Sequence, residues 1–161
     1  MRRIAVMAAL LALAPALPGC APATARSVVA QSPAMQRVPL SIATARGTRH
    51  FTVEVARSDA EQARGLMFRT SLASNVGMLF PMAPPRAATF WMKNTLIPLD
   101  MIFVRADGTI ARIAANTVPE SLDMVDSGEP VIAVLELAGG AAAAQGIAAN
   151  DRVRWPGGPK G

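Results

Sequence analysis

Seven residues near the C-terminus, Val131 to Leu137, read VIAVLEL. The run is strongly β-prone, and it is apolar at odd and even positions alike. Side chains of a strand alternate between two faces. A strand that is apolar on both must be covered on both, which makes this one central rather than an edge. The single exception is Glu136, a carboxylate set inside the apolar run.

The rest of the chain supplies neighbours for such a strand. Thr48 to Val55 (TRHFTVEV) alternates, with Phe51, Val53 and Val55 on one face, and predicts a half-buried strand. Ser58 followed by Glu61 has capping-box spacing and predicts a short helix from Asp59 to about Leu66. Met78-Leu79-Phe80 predicts a short strand stopped by Pro81, and Ala83-Pro84-Pro85 a loop. Ala88 to Asn94 and Leu99 to Ala106 read as strands, and Asp107-Gly108 is a two-residue hairpin signal that turns Thr109 to Ala115 back. Asn116 to Pro130 reads as an acidic, turn-rich loop. Gly139 to Gly146 encloses a short Ala-rich helical turn, and Ile147 to Trp155 ends in the strand DRVRW. The expectation is an α+β fold, a predominantly antiparallel curled sheet or small barrel of about seven short strands with two short helices.

The two ends have a different character. Arg2 and Arg3 precede a 13-residue apolar stretch, Ile4 to Ala16. Spanning a bilayer takes about 20 apolar residues, so residues 1–19 read as an export signal. Leu17-Pro18-Gly19-Cys20 resembles the lipobox of bacterial lipoproteins, in which Cys20 becomes the lipid-modified N-terminus. Pro18 departs from that pattern, and cleavage within Ala21 to Ala25 (APATA) or an uncleaved anchor are the alternatives. Cys20 is the sole cysteine, so no intramolecular disulfide forms and no thiol remains in the folded part. Residues 20–46 read as a lipid-anchored or flexible tether, with Val38 to Thr44 as an alternative first strand. Residues 47–156 form the expected single domain, and 157–161 a disordered tail. The protein is thus expected to be exported and periplasmic, held at the outer membrane through Cys20.

The net charge of +5 does not point to nucleic acid. Residues 47–156 hold ten basic and eleven acidic residues, so the excess sits in the ends. The basic stripe with interleaved aromatics that nucleic acid requires is missing from the sequence.

The densest chemistry lies in Phe90 to Phe103, FWMKNTLIPLDMIF. Read as two strands joined at Thr95 to Pro98, it sets Lys93 opposite Asp100 and Trp91 opposite Ile102, with opposed Cβ atoms about 4.5–5.5 Å apart. One reading is a cross-strand ion pair of slight energetic weight. The other is a lined cleft, in which Trp91 stacks and Lys93, Asn94 and Asp100 bind a ligand.

RGLMFR (Arg64 to Arg69), GMLF (Gly77 to Phe80), FWMKNTLIPLDMIFV and the later VLEL resemble the domain-of-unknown-function 192 family, small and often exported bacterial and archaeal proteins. The resemblance covers about residues 48–155 and maps onto Arg64, Gly65, Leu66, Met67, Arg69, Gly77, Met78, Trp91, Lys93, Asn94, Thr95, Pro98 and Asp100. Asn150 before Asp151 departs from the usual glycine. The resemblance implies a site at Trp91 to Asp100 and brings no established activity.

Several further groups have two readings each. Arg64 and Arg69 form either an anion fork or helix-end salt bridges. Glu136 is either paired with one of these cations or functional through a raised pKa. The methionines are core filler or, less in keeping with their usual use, a copper(I) site. His50 alone cannot build a histidine zinc site, and Asp123, Asp126 and Glu129 lack the calcium-loop pattern. No metal or other cofactor is expected. The favoured reading is a non-enzymatic binding module for a small polar or anionic ligand or an envelope protein partner. Its ligand-binding residues are Trp91, Lys93, Asn94, Asp100, Arg64, Arg69 and Glu136. The alternatives are a small enzyme using Lys93 as base or nucleophile with Asp100, and a structural accessory protein.

Overall fold

The computed structural model describes residues 35–159. In chain order the elements are β1 (Arg37–Thr44), β2 (Gly47–Val55), α1 (Asp59–Arg64), β3 (Val76–Phe90), β4 (Leu99–Val104), β5 (Ile110–Thr117), β6 (Val125–Ala138), α2 (Ala141–Gln145) and β7 (Arg152–Arg154). The seven strands form one sheet in the order β5-β4-β6-β3-β2-β1-β7. Neighbours are antiparallel except β2 and β3, which run parallel with α1 as their crossover. The sheet curls until its two ends touch. Thr109 bridges Arg152, and Val153 N–H donates to the Gly108 carbonyl at 2.8 Å. The α+β expectation of a curled, mainly antiparallel sheet holds, as a half-barrel.

β6 is central, between β4 and β3, and both of its faces are covered. Leu135 and Leu137 point inside the curl, where they pack with Leu40, Ile42, Phe51 and Val53. Val134 points outward into a second apolar cluster with Met78, Phe80, Met101 and Phe103. The outer cluster is roofed by chain that is not sheet, through Leu66 after α1 and Met92 after β3, both almost wholly buried. Each of these large side chains contributes about 1.5–3 kcal/mol through burial.

Local expectations met the structure unevenly. The capping box on α1 is present, with Ser58 N–H donating to Glu61 Oε2 at 2.9 Å. The helix ends at Arg64, two residues early, because Gly65 turns the chain with φ 47. The Asp107-Gly108 hairpin is present, with Gly108 at φ 86. β1 occupies residues expected as tether, in favour of the alternative strand at Val38 to Thr44. Residues 1–19, expected as an export signal, and Cys20 lie outside the described residues.

Three expectations are corrected. The strand at Met78 does not stop at Pro81. β3 continues through Pro81, Pro84 and Pro85 to Phe90, and its register with β6 shifts between Pro81 and Arg86. The shift takes Pro84 and Pro85 out of the ladder, where a missing N–H would otherwise break pairing, while Pro81 stays in register with Ala133. The strand expected over Ala88 to Asn94 ends at Phe90, and Trp91 to Thr95 form a turn with Asn94 at φ 56. The loop expected over Asn116 to Pro130 shrinks to residues 118–124, since β5 runs to Thr117 and β6 starts at Val125.

β3 and β6 meet most tightly at Gly77. A Cβ there would stand 2.5 Å from the Glu136 carbonyl oxygen and 2.8 Å from Leu137 Cδ2. Gly77→Ala is therefore expected to lower stability by at least about 2 kcal/mol, read as a shifted midpoint in denaturant titration.

Candidate functional site: a cleft floored by Glu136

The outer face of the sheet carries a row of residues in register: Glu54 on β2, Met78 on β3, Glu136 on β6 and Met101 on β4. At the β2 edge the carboxylate is matched. Arg69 and Arg37 both pair with Glu54, the latter at 3.0 Å. Burial opposes ionisation of Glu54, but hydrogen bonds from Arg69 and then Arg37 outweigh it and hold its carboxyl below the usual range. In the middle of the row the carboxylate is unmatched. Glu136 is 4% exposed, between two fully buried methionines. No ion pair of the described residues includes it, and burial alone acts on its pKa, pushing it up to about 8.

Above Glu136 lies an open cleft of about 300 Å³. Its walls are Leu66, Met67, Phe80, Met82, Phe90 and Trp91, with Arg64 and Arg86 among its polar lining. Phe80 and Phe90 meet edge to face at 5.2 Å and fix the wall between floor and mouth. Gly65 leaves room here, since a Cβ on it would stand 3.3 Å from Phe80 Cζ. Among the described residues, no sealed side-chain polar atom lacks a partner. The Glu136 oxygens, which have none, therefore retain access through the cleft they line.

The residues of the FWMKNTLIPLD string divide between two environments. Trp91 lines the cleft and is 42% exposed, with Lys93 Nζ 5.0 Å from its ring centroid. Indole and ammonium thus come together, as a cation–π contact. Asp100 does not join them. It is fully buried and turned inside the curl, where Oδ1 accepts from Asn116 N–H at 2.8 Å and Gly140 N–H at 3.0 Å, and Oδ2 from Ala142 N–H at 2.8 Å. The expected opposition of Lys93 and Asp100 fails because Lys93 sits in a turn, and Asp100 pairs in register with Leu137 of β6. Asn94 acts as a joint: its carbonyl accepts from Phe68 N–H at 2.8 Å, and Nδ2 lies 3.8 Å from Met67 Sδ.

Arg64 is exposed, with its guanidinium 6.0 Å from the Phe68 ring centroid. Arg69 is committed to Glu54, a partner that the sequence reading passed over. The available signal was the alternation of TRHFTVEV, which turns Glu54 away from Phe51, Val53 and Val55 and onto the outer face. Arg86, also passed over, falls between the loop expected over Ala83 to Pro85 and the strand expected from Ala88, and lies within β3. Arg64, Arg86 and Lys93 have no ion-pair partner among the described residues. Met78, Met92 and Met101 are core. Among the described residues, no three His, Cys, Asp or Glu side chains gather as metal ligands do. Glu129 instead pairs with Arg105 at 2.7 Å and Asp126 with Arg112 at 3.7 Å.

A curled α+β half-barrel with a cleft of mixed polar and apolar lining, a buried acid among that lining and cations without ion-pair partners among the described residues defines the structural class. The chain belongs to the DUF192 family, described as uncharacterized ACR, whose model matches residues 41–155. A solved structure from Sinorhizobium meliloti 1021, provisionally labelled a transcription regulator, is 40% identical, with a TM-score of 0.76 over 79% of this chain and 99% of that one. A protein of unknown function from Novosphingobium aromaticivorans DSM 12444 is 44% identical, with a TM-score of 0.74 over 87% of this chain and 94% of its own. No curated protein matches the chain.

Two measurements test the division of labour. Asp100→Ala strands three amide donors in the interior and is expected to cost about 3–5 kcal/mol, whereas Lys93→Ala stays within about 0.5 kcal/mol. Thermal melts of both variants compare them. Glu136 has its folded-state pKa raised to about 8 from 4.5. Its contribution is therefore fully present below about pH 4.5 and is lost as pH rises through 8, up to about 5 kcal/mol. Glu136→Gln should remove that part of the pH slope of the unliganded protein.

Proposed function

We infer that the protein is an exported, lipid-tethered, non-enzymatic binding module whose small polar or anionic ligand occupies the Glu136 cleft. One observation carries this reading: a cleft of mixed polar and apolar lining holds charged groups that the fold itself leaves unmatched. A structural acid is paired, as Glu54 is. An unpaired acid at the base of an open cleft weakens the fold and is compensated by what it binds. Trp91 offers a stacking face, while Arg64, Arg86 and the Lys93 ammonium draw negative charge to the mouth.

The placement of Asp100 weighs against the enzymatic alternative, since its carboxylate is enclosed by three amides and is not beside Lys93. The regulator label of the S. meliloti neighbour has no support in the charge of residues 47–156, where acidic residues outnumber basic ones by one. The export signal and the lipobox-like Cys20 support display outside the cytoplasm on a tether.

Native mass spectrometry of the full-length protein, purified from the cell envelope, is the direct test. A co-purifying small molecule is expected, and Trp91→Ala should release it while leaving the melting temperature within a few degrees. Apo protein throughout, with no ligand captured from envelope extract, would refute the binding reading. Cys20→Ala should move the protein from the membrane to the soluble fraction; unchanged fractionation would refute the lipid tether.

A further inference from the structure

The cleft separates opposite charges that an ordinary surface would pair. Glu136 lies at the floor, nine-tenths or more buried, with no protein donor on its carboxyl. Arg64 and Arg86 line the same cleft, and the Lys93 ammonium packs against the Trp91 ring; none has an ion-pair partner among the described residues. We propose that the cleft binds a small zwitterion, its ammonium on the Glu136 carboxylate and its anionic group on Arg64 and Arg86. The proposal rests on the binding-module reading and names the chemistry of the ligand.

Charge matching separates this class from its rivals. A purely anionic ligand would satisfy the arginines and leave the buried acid unmatched. A purely cationic one would suit Glu136 but pass like charges on entry. A neutral ligand needs only a hydrogen-bonding group at the floor, for which glutamine would serve equally well. A molecule with both charges satisfies both ends, and each end makes a charge-assisted contact in a site of reduced water. Size agrees. A volume of about 300 Å³ sits at the small end of ligand pockets and suits an amino acid or a molecule of similar bulk. The walls of Leu66, Phe80, Met82 and Phe90 would receive an apolar side chain between the two poles. Glu136, held protonated in the empty cleft by burial, would ionise as the ammonium docks.

L-phenylalanine, N-acetyl-L-phenylalanine and phenethylamine probe the two poles, each titrated calorimetrically into detergent-solubilised full-length protein. The first carries both charges, the second lacks the ammonium and the third lacks the carboxylate. Phenylalanine is expected to bind at least about tenfold more tightly than either analogue. Glu136→Gln should weaken phenylalanine by a similar factor and leave N-acetyl-phenylalanine unchanged, while Arg86→Gln should weaken phenylalanine and spare phenethylamine. The comparison among ligands on the unmodified protein does not depend on how well the variants fold. N-acetyl-phenylalanine binding as tightly as phenylalanine would overturn the zwitterion while the binding module survived, provided Trp91→Ala abolished that binding. No binding of any of the three would also overturn it, and an envelope-derived ligand in native mass spectrometry would then show that the module reading stands alone.

Discussion

Covering both faces of β6 is the requirement around which the molecule is arranged. Curling the sheet solves the problem on one side, because Leu135 and Leu137 then face a core gathered from β1, β2, β4 and β7. Nothing of the kind serves the other side. Its cover comes from the turn after α1 and the turn after β3, which lay Leu66 and Met92 over Met78, Phe80, Met101 and Phe103. Two turns cannot seal a sheet as a second sheet or a long helix does. The opening left between them is the cleft, so the site is a consequence of how the outer face is roofed.

Electrostatics follows the same division. On the row Glu54–Met78–Glu136–Met101 the two acids lie on one face, two strands apart, yet only one is neutralised by arginines. Arg69, which follows Leu66 closely, reaches the edge acid. Reaching the central one would require a guanidinium to cross the cleft and fill it. Desolvation on this scale outweighs most contacts that an exposed cation supplies. Leaving Glu136 unmatched therefore keeps the cleft open.

Much of this was legible in the sequence, and the failures share one physical cause. VIAVLEL marked the central strand because two-sided burial leaves a compositional trace. The capping box at Ser58 and the turn at Asp107-Gly108 were legible because they are local backbone chemistry. Prolines misled the reading of β3, since the bulge that takes Pro84 and Pro85 out of the ladder is specified by the partner strand and leaves no mark of its own. The pairing of Lys93 with Asp100 was wrong for a related reason. It assumed that consecutive strands are neighbours, whereas β6 arrives from over twenty residues downstream to separate β3 from β4. Long-range insertion of that kind reverses neither propensity nor periodicity, so no local signal betrays it. Glu136 stood out because a charge in a two-sided apolar run is visible without knowing its surroundings, but no pairing with an arginine or Lys93 is found among the described residues.

The string FWMKNTLIPLD also shows why a distinctive motif need not be a constellation of ligand-binding groups. Its members act on three different parts of the fold. Met92 fills the outer core, and its backbone N–H donates to the Ser121 carbonyl at 3.0 Å, while the Thr95 carbonyl accepts from Glu120 N–H at 3.0 Å. Asn94 ties the same turn to Phe68 through its own carbonyl. These backbone bonds lock the turn to the loops on either side of it and hold Trp91 at the cleft wall. Asp100, from the inner face, fastens the end of β5 and the start of α2 to β4. Trp91 and Lys93 are both exposed. A residue string held this rigidly by its backbone suits recognition in a pre-formed cleft, where affinity is not spent on ordering the wall. It suits poorly a mechanism in which the turn must open and close around a reaction.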